Sequence, residues 1–171
     1  GQMIYLDIVK ALNKGKIKYA VAGGVAVVLH GFTRFTADLD LIVELSEENL
    51  YKFFDIMYSL GYRPKAPVKK EEFIDKRKRQ EWIDKKGMIV FSFFHIRDHL
   101  KIVDMFVTEP IKFSEIEKGI EKIEINRVKV CTISNRHLRK LKLLANRPQD
   151  LIDIRNLEEI ERINNENRKR S

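Results

Sequence analysis

The chain has little of what staples or segments a small fold. Of its 171 residues only one, Cys131, is cysteine, so no intrachain disulfide can form and nothing calls for an oxidising compartment. Four prolines and eight glycines are too few for a fibrous or linker-dominated chain. No run approaches the ~18 consecutive apolar residues of a membrane span, and no cleavable apolar leader is expected; the expectation is a cytoplasmic protein without a membrane partner. Apolar residues are not lacking: at 44% they exclude a disordered chain. Acids are outnumbered, 25 against 33 Lys and Arg, and the resulting charge of +8 favours polyanionic partners such as nucleic acid. The length suits one domain, expected over 3–164, with a frayed polar tail over 165–171. Gly1 and Gln2 read as an added remnant before a natural start at Met3.

Hydrophobic spacing predicts a mixed α+β order. A helix over Ile4–Leu12 precedes a short buried strand, Ile17–Ala22. Gly23-Gly24 then turns into a short apolar helix, Val25–His30, closed by Gly31. Leu39–Leu45 is β-branched and apolar, a second strand, and Glu47–Leu60 repeats apolar residues at helical spacing before stopping at Gly61. Lys65–Lys86 holds nine basic residues against five acids and reads, from Glu71, as one exposed helix carrying Phe73, Ile74 and Trp82 toward the core. Met88–Phe94 and Leu100–Val107 read as strands, and Ile123–Ile125 with Val128–Ile133 as a hairpin around Asn126-Arg127. Ser134 can cap a helix from Asn135 to about Ala145, and Pro148 opens a last helix ending near Asn164.

The chemistry concentrates at Gly23-Gly24 and, thirteen residues on, Asp38-Leu39-Asp40-Leu41. Side chains alternate along a strand, so Asp38 and Asp40 share a face about 7 Å apart at Cα. Two carboxylates at a buried strand end repel and lose hydration, at a cost of several kcal/mol unless one protonates. A hard cation removes that conflict, and Mg²⁺ is commonly held by one or two carboxylates plus substrate phosphates. Asp104 supplies a third acid in an otherwise apolar run, Val103-Asp104-Met105. Three convergent carboxylates can hold two ions roughly 3.5–4 Å apart, the separation that clamps the attacking and leaving oxygens of a phosphoryl transfer. Asp104 is also the nearest candidate base for an acceptor hydroxyl. Gly23-Gly24 lets backbone approach phosphates at a helix start.

The glycine pair, spacer, Asp-Leu-Asp strand and later strand acid together resemble the DNA polymerase beta-like nucleotidyltransferase superfamily, the spacer lying at the long end of that family's range. The string His30-Gly31-Phe32-Thr33-Arg34-Phe35-Thr36-Ala37-Asp38-Leu39-Asp40 is similar more narrowly to the AbiEii-type branch, typically toxin halves of type IV toxin–antitoxin systems. The resemblance runs in order over about residues 17 to 157. It implies a nucleotidyltransferase fold, with a C-terminal helical section closing one side of a cleft. It further implies transfer of a nucleoside monophosphate from an NTP, with Mg²⁺ or Mn²⁺, to an acceptor hydroxyl. An RNA or tRNA end suits the charge, while a protein or small-molecule hydroxyl and an antitoxin partner stay open. Asp38, Asp40 and Asp104 would bind metal and carry catalysis; Gly23, Gly24, Arg34, Thr36, Lys142 and Asp150 would bind substrate, with Asp153 in the same Asp-Leu-x-Asp segment.

Other readings compete. A glycosyltransferase would use Asp38-x-Asp40 but has no need of Gly23-Gly24 or Asp104. A non-catalytic binding module would keep the fold alone. Asp150 also suits a helix N-terminus, and Lys142 an ordinary helix face. His95, Asp98 and His99, with no nearby cysteine, fall short of a closed zinc site. The Lys65–Lys86 cluster is either a solvated helix face or a contact surface for an RNA backbone. Cys131 reads as a small buried strand residue, and Trp82, Phe91, Phe93 and Phe94 as core.

Overall fold

A computed structural model describes residues 5–171. The four residues Gly1–Ile4, including the expected start at Met3, lie outside the described residues. The elements, in chain order, are α1 (Leu6–Lys14), β1 (Tyr19–Ala22), α2 (Gly23–Leu29), β2 (Leu39–Val43), α3 (Glu47–Ser59), β3 (Tyr62–Pro64), α4 (Lys70–Ile74) and α5 (Lys76–Lys86). They continue with β4 (Val90–His95), β5 (Ile102–Phe106), α6 (Phe113–Gly119), β6 (Glu121–Ile125), β7 (Val128–Thr132), α7 (Asn135–Ala145) and α8 (Pro148–Arg170). All seven strands join one sheet in the order β3-β4-β5-β2-β1-β7-β6. It is mixed: β1–β7 and β2–β5 run parallel, the other neighbours antiparallel. No helix among the described residues is long and apolar enough to cross a membrane.

The alternation of β2, β4 and β5 divides the sheet into two unlike faces. Leu39, Leu41, Phe91, Phe93, Val103 and Met105 are buried on one face. There Phe53 and Phe54 of α3 and Phe73 of α4 meet Phe91 and Phe93 in an aromatic cluster with centroids 4.6–6.1 Å apart. Such edge and tilted pairings add to the area they bury. The opposite parity of β4 and β5, namely Val90, Ser92, Phe94, Ile102, Asp104 and Phe106, is only half-buried. Phe94 is therefore not core, contrary to expectation: it follows Phe93 directly, and adjacent strand residues face opposite ways. Trp82 is half-buried against the core, and Cys131 is half-buried on β7.

Local signals explain most boundaries. The Ser46 hydroxyl accepts from the Asn49 N–H and the Ser134 hydroxyl from the His137 N–H, so both serines cap the helices they precede. Pro148 opens α8 where its missing N–H costs nothing. The expected single helix after Glu71 is two, α4 and α5. The break falls at Asp75, whose backbone is extended and whose carboxylate caps α5 through the Arg77 N–H. The last helix runs past its expected end near Asn164. Arg162 pairs with Glu159 and Glu166, one turn to either side, and such pairs support α8 toward Arg170.

Candidate active site

Parallel pairing of β2 with β5 sets Asp40 directly beside Asp104, and Asp38 stands two residues before Asp40, just ahead of the strand. Register partners point to the same face, so Asp40 and Asp104 lie together on the half-buried side of the sheet, and Asp38 is near enough for its charge to act on Asp40. They feel one another. Burial first, then the Asp104 and Asp38 charges, push the Asp40 carboxyl up to about 7, against the opposing pull of Lys142 and Arg147. Asp38 is raised as well, by burial and then Asp104, with Lys65 pulling it back. Tyr5, on the other side of this cluster, is pushed up to about 12 by burial and then the three carboxylates, and its hydroxyl donates to the Ala37 carbonyl.

The glycines are required by this packing. Gly23 has φ +61°, and a Cβ there would sit 1.9 Å from Asp40 Oδ2. A Cβ on Gly24 would lie 2.7 Å from Thr36 Oγ1 and 3.3 Å from Arg34 Nη1. The pair forms the first turn of α2 rather than a separate turn before it. The strand end, glycine pair and approaching loop thus meet at one place.

The C-terminal helices complete the surroundings with ion pairs. Asp153 is fully buried; its Oδ2 lies 2.8 Å from both Arg34 Nη1 and Lys142 Nζ, and its Oδ1 accepts from Gln149. Asp150 accepts from the Arg147 backbone N–H at 3.1 Å and Nε at 2.8 Å, and lies 3.4 Å from Lys142 Nζ. Burial opposes ionisation of Asp150, but its Arg147 hydrogen bonds and the Lys142 charge bring the carboxyl below the ordinary range. Asp150 is therefore at once a helix-start cap and part of the cluster. Arg147 was not singled out from the sequence; its place at the residue before Pro148, facing Asp150, is the only local hint.

The expected acids come together, yet not as a closed cage. Among the described residues no three His, Cys, Asp or Glu side chains gather closely enough to hold a metal ion. Asp104 Oδ1 instead takes the Ser92 hydroxyl at 2.5 Å. The donor set nonetheless fits a hard divalent cation: oxygen ligands only, on adjoining strands, with Asp40 driven toward its neutral form by its neighbours. His95 and His99 are occupied otherwise, His95 Nε2 lying 3.0 Å from the Leu60 carbonyl and the His99 ring standing edge-on to Phe94. A concavity of about 680 Å³ between α3, α4 and α5 is lined by Glu47, Tyr51 and Arg77 among others and contains none of these acids.

A family described as nucleotidyltransferase of unknown function (DUF6036) matches residues 4–170. No curated protein matches the sequence. Among solved structures, the lincomycin-bound lincosamide antibiotic adenylyltransferase LnuA superposes with a TM-score of 0.60 at 17% identity, covering 94% of this chain and 98% of that one. ANT(2")-Ia in complex with adenylyl-2"-tobramycin gives 0.58 at 17% identity, covering 99% and 97%. A candidate nucleotidyltransferase from Thermotoga maritima gives 0.56 at 14% identity, covering 90% and 89%. At these identities the likeness is one of fold.

Proposed function

Since the chain belongs to the nucleotidyltransferases of unknown function (DUF6036), we propose that it moves a nucleoside monophosphate from an NTP to an acceptor hydroxyl, using a divalent cation held by Asp38, Asp40 and Asp104. The observation that carries this reading is the level pairing of Asp40 and Asp104 on parallel strands, with Asp38 just ahead of β2 and Gly23 beneath Asp40. Mg²⁺ fits best and Mn²⁺ would substitute; bound there, the cation supplies charge neutralisation and lowers the pKa of the attacking hydroxyl.

The residues divide the remaining work. Lys142 and Arg34, both held by Asp153, offer positive charge to the triphosphate. Gly23 and Gly24 allow close backbone approach, and Thr36, packed over Gly24, fixes the loop that delivers Asp38. Asp150 keeps Lys142 and Arg147 in place. The acceptor oxygen attacks the α-phosphorus in line; the new O–P bond forms as the bond to the β-phosphate oxygen breaks, and pyrophosphate leaves with that electron pair. Asp104 accepts the acceptor's proton, exchanging its Ser92 hydrogen bond for it.

For the acceptor, the charge of +8 favours an RNA end. A toxin role with an antitoxin partner, and placement in the AbiEii-type branch, rest on the His30–Asp40 string. The antibiotic adenylyltransferases named above support a second reading, a small-molecule hydroxyl as acceptor. Incubation with each α-labelled NTP, Mg²⁺, and either total RNA or hydroxyl-bearing antibiotics separates the two. Label is expected in RNA, and Asp38→Asn and Asp104→Asn are expected to abolish it; turnover unchanged in both variants contradicts the proposal.

A further inference from the structure

The half-buried face of β3, β4 and β5 carries two transverse rows that start at the acids and run away from them. The first row is Asp40, Asp104, Ser92 and Lys65. Its members follow from the β2–β5 and β4–β5 registers and from the Lys65 N–H donating to the Ser92 carbonyl at 2.9 Å. The second is Ile102, Phe94 and Arg63, by the β4–β5 and β3–β4 registers, with Asp38 lying just ahead of β2. Neighbouring strands are about 4.8 Å apart, which puts Lys65 roughly 10 Å from Asp104 at the backbone, within reach of one extended lysine side chain.

The two rows differ in kind. Arg63 turns away, donating from Nη1 to the Tyr58 and Tyr62 carbonyls, so Lys65, which is exposed, is the cation left facing outward. Phe94 is half-buried, its ring T-shaped to that of His99 at 4.9 Å, and it stands diagonally from Asp104, one strand over and two residues along. Negative charge, an aromatic face and a single cation therefore lie in sequence across about three strands. A chain terminus with a hydroxyl, a ring and a phosphate at matching spacing fits this order. Aromatic side chains that stack bases and lysines that meet the backbone are how proteins hold single-stranded nucleic acid.

We propose that Phe94 and Lys65 form an acceptor subsite that holds the 3′-terminal nucleotide of a single-stranded RNA, its base on Phe94 and its phosphate at Lys65, so that its terminal hydroxyl lies over Asp104. This rests on the nucleotidyl-transfer reading and adds to it the residues that would hold the acceptor's end. Ile102, paired with Phe94 and two residues before Asp104, fills the floor beneath the ribose.

Anisotropy titrations with a fluorescent single-stranded RNA ending in an unblocked 3′ hydroxyl, with the full chain and without nucleotide, test the subsite apart from catalysis. Phe94→Ala is expected to weaken RNA binding about tenfold, the effect of one lost base stack, and Phe94→Trp to retain it. Lys65→Ala is expected to lower affinity and to reduce the slope of log affinity against log salt by about 0.7. With saturating NTP, Phe94→Ala should raise KM for RNA while Mg²⁺–NTP affinity measured by calorimetry stays within about twofold of wild type. RNA affinity indifferent to both Phe94→Ala and Lys65→Ala overturns the subsite, whatever the enzyme transfers. Wild-type labelling of a small hydroxyl compound or a protein, but not of RNA, overturns it too while leaving nucleotidyl transfer standing. RNA binding that depends on Phe94 with no transfer to any acceptor upholds the subsite and contradicts the proposed activity.

Discussion

Asp40 offers a measurement that needs no substrate. Its carboxyl ionises near pH 7 in the folded chain, against an ordinary 3.8. The unfolded chain therefore releases this proton first, and every pH step between those values favours unfolding. Stability is full below about pH 4, declines as pH rises through 7 and flattens above. A gap of about three pH units corresponds to at most about 4 kcal/mol, a large share of the 5–15 kcal/mol typical of a domain. Asp38, also raised, adds a smaller slope of the same sign. His137 acts oppositely: burial and then Arg136 hold its pKa below the usual value, so its contribution is lost as pH falls below about 6.5. Subtracting the Asp40→Asn curve from wild type removes His137. Urea midpoints at half-unit steps from pH 5 to 8.5, in chelator, should show wild type losing stability relative to Asp40→Asn by about 2–4 kcal/mol across the range. Millimolar Mg²⁺ should reverse much of that loss at pH 8 by binding the ionised site. Parallel wild-type and Asp40→Asn curves would refute the argument that burial and neighbouring acids hold this carboxyl near neutral.

Further outcomes follow from the packing around the acids. Gly23→Ala puts a Cβ against Asp40 at positive φ, so we expect a loss of about 1–2 kcal/mol in urea denaturation and a more than tenfold drop in Mg²⁺–NTP affinity by calorimetry. Asp153→Ala leaves Arg34 without its carboxylate and Lys142 with Asp150 alone, and a destabilisation of roughly 3 kcal/mol is expected from denaturation midpoints, with weakened NTP binding. Ser92→Ala frees Asp104 from its hydroxyl partner, and the pH–rate profile for transfer should shift while NTP affinity is retained.

The sequence exposed the acids because strand alternation is a rule of two. Asp38, Asp40 and Asp104 stand out against apolar neighbours of opposite parity, and the glycine pair marks a close approach. Other features depend on contacts remote in sequence. Tyr62-Arg63-Pro64 is too short and too near a proline to read as a strand, and pairs only because β4 offers an edge. The Phe113–Gly119 helix is about two turns without a side-chain cap, hidden among charged residues. Phe94 reads as core by composition, and only the register shows that it faces the opposite way from Phe93. The ion-pair hub at Asp153 joins residues 119 apart along the chain, which no local pattern reports.

The proposed transfer requires a cation shared between β2 and β5. Mn²⁺ binding followed by electron paramagnetic resonance, with and without a non-hydrolysable NTP, tests this without reference to any acceptor. We expect binding by the wild-type chain that tightens with nucleotide and falls at least tenfold in both Asp40→Asn and Asp104→Asn. Equal Mn²⁺ affinity in all three proteins, with nucleotide present, would contradict it.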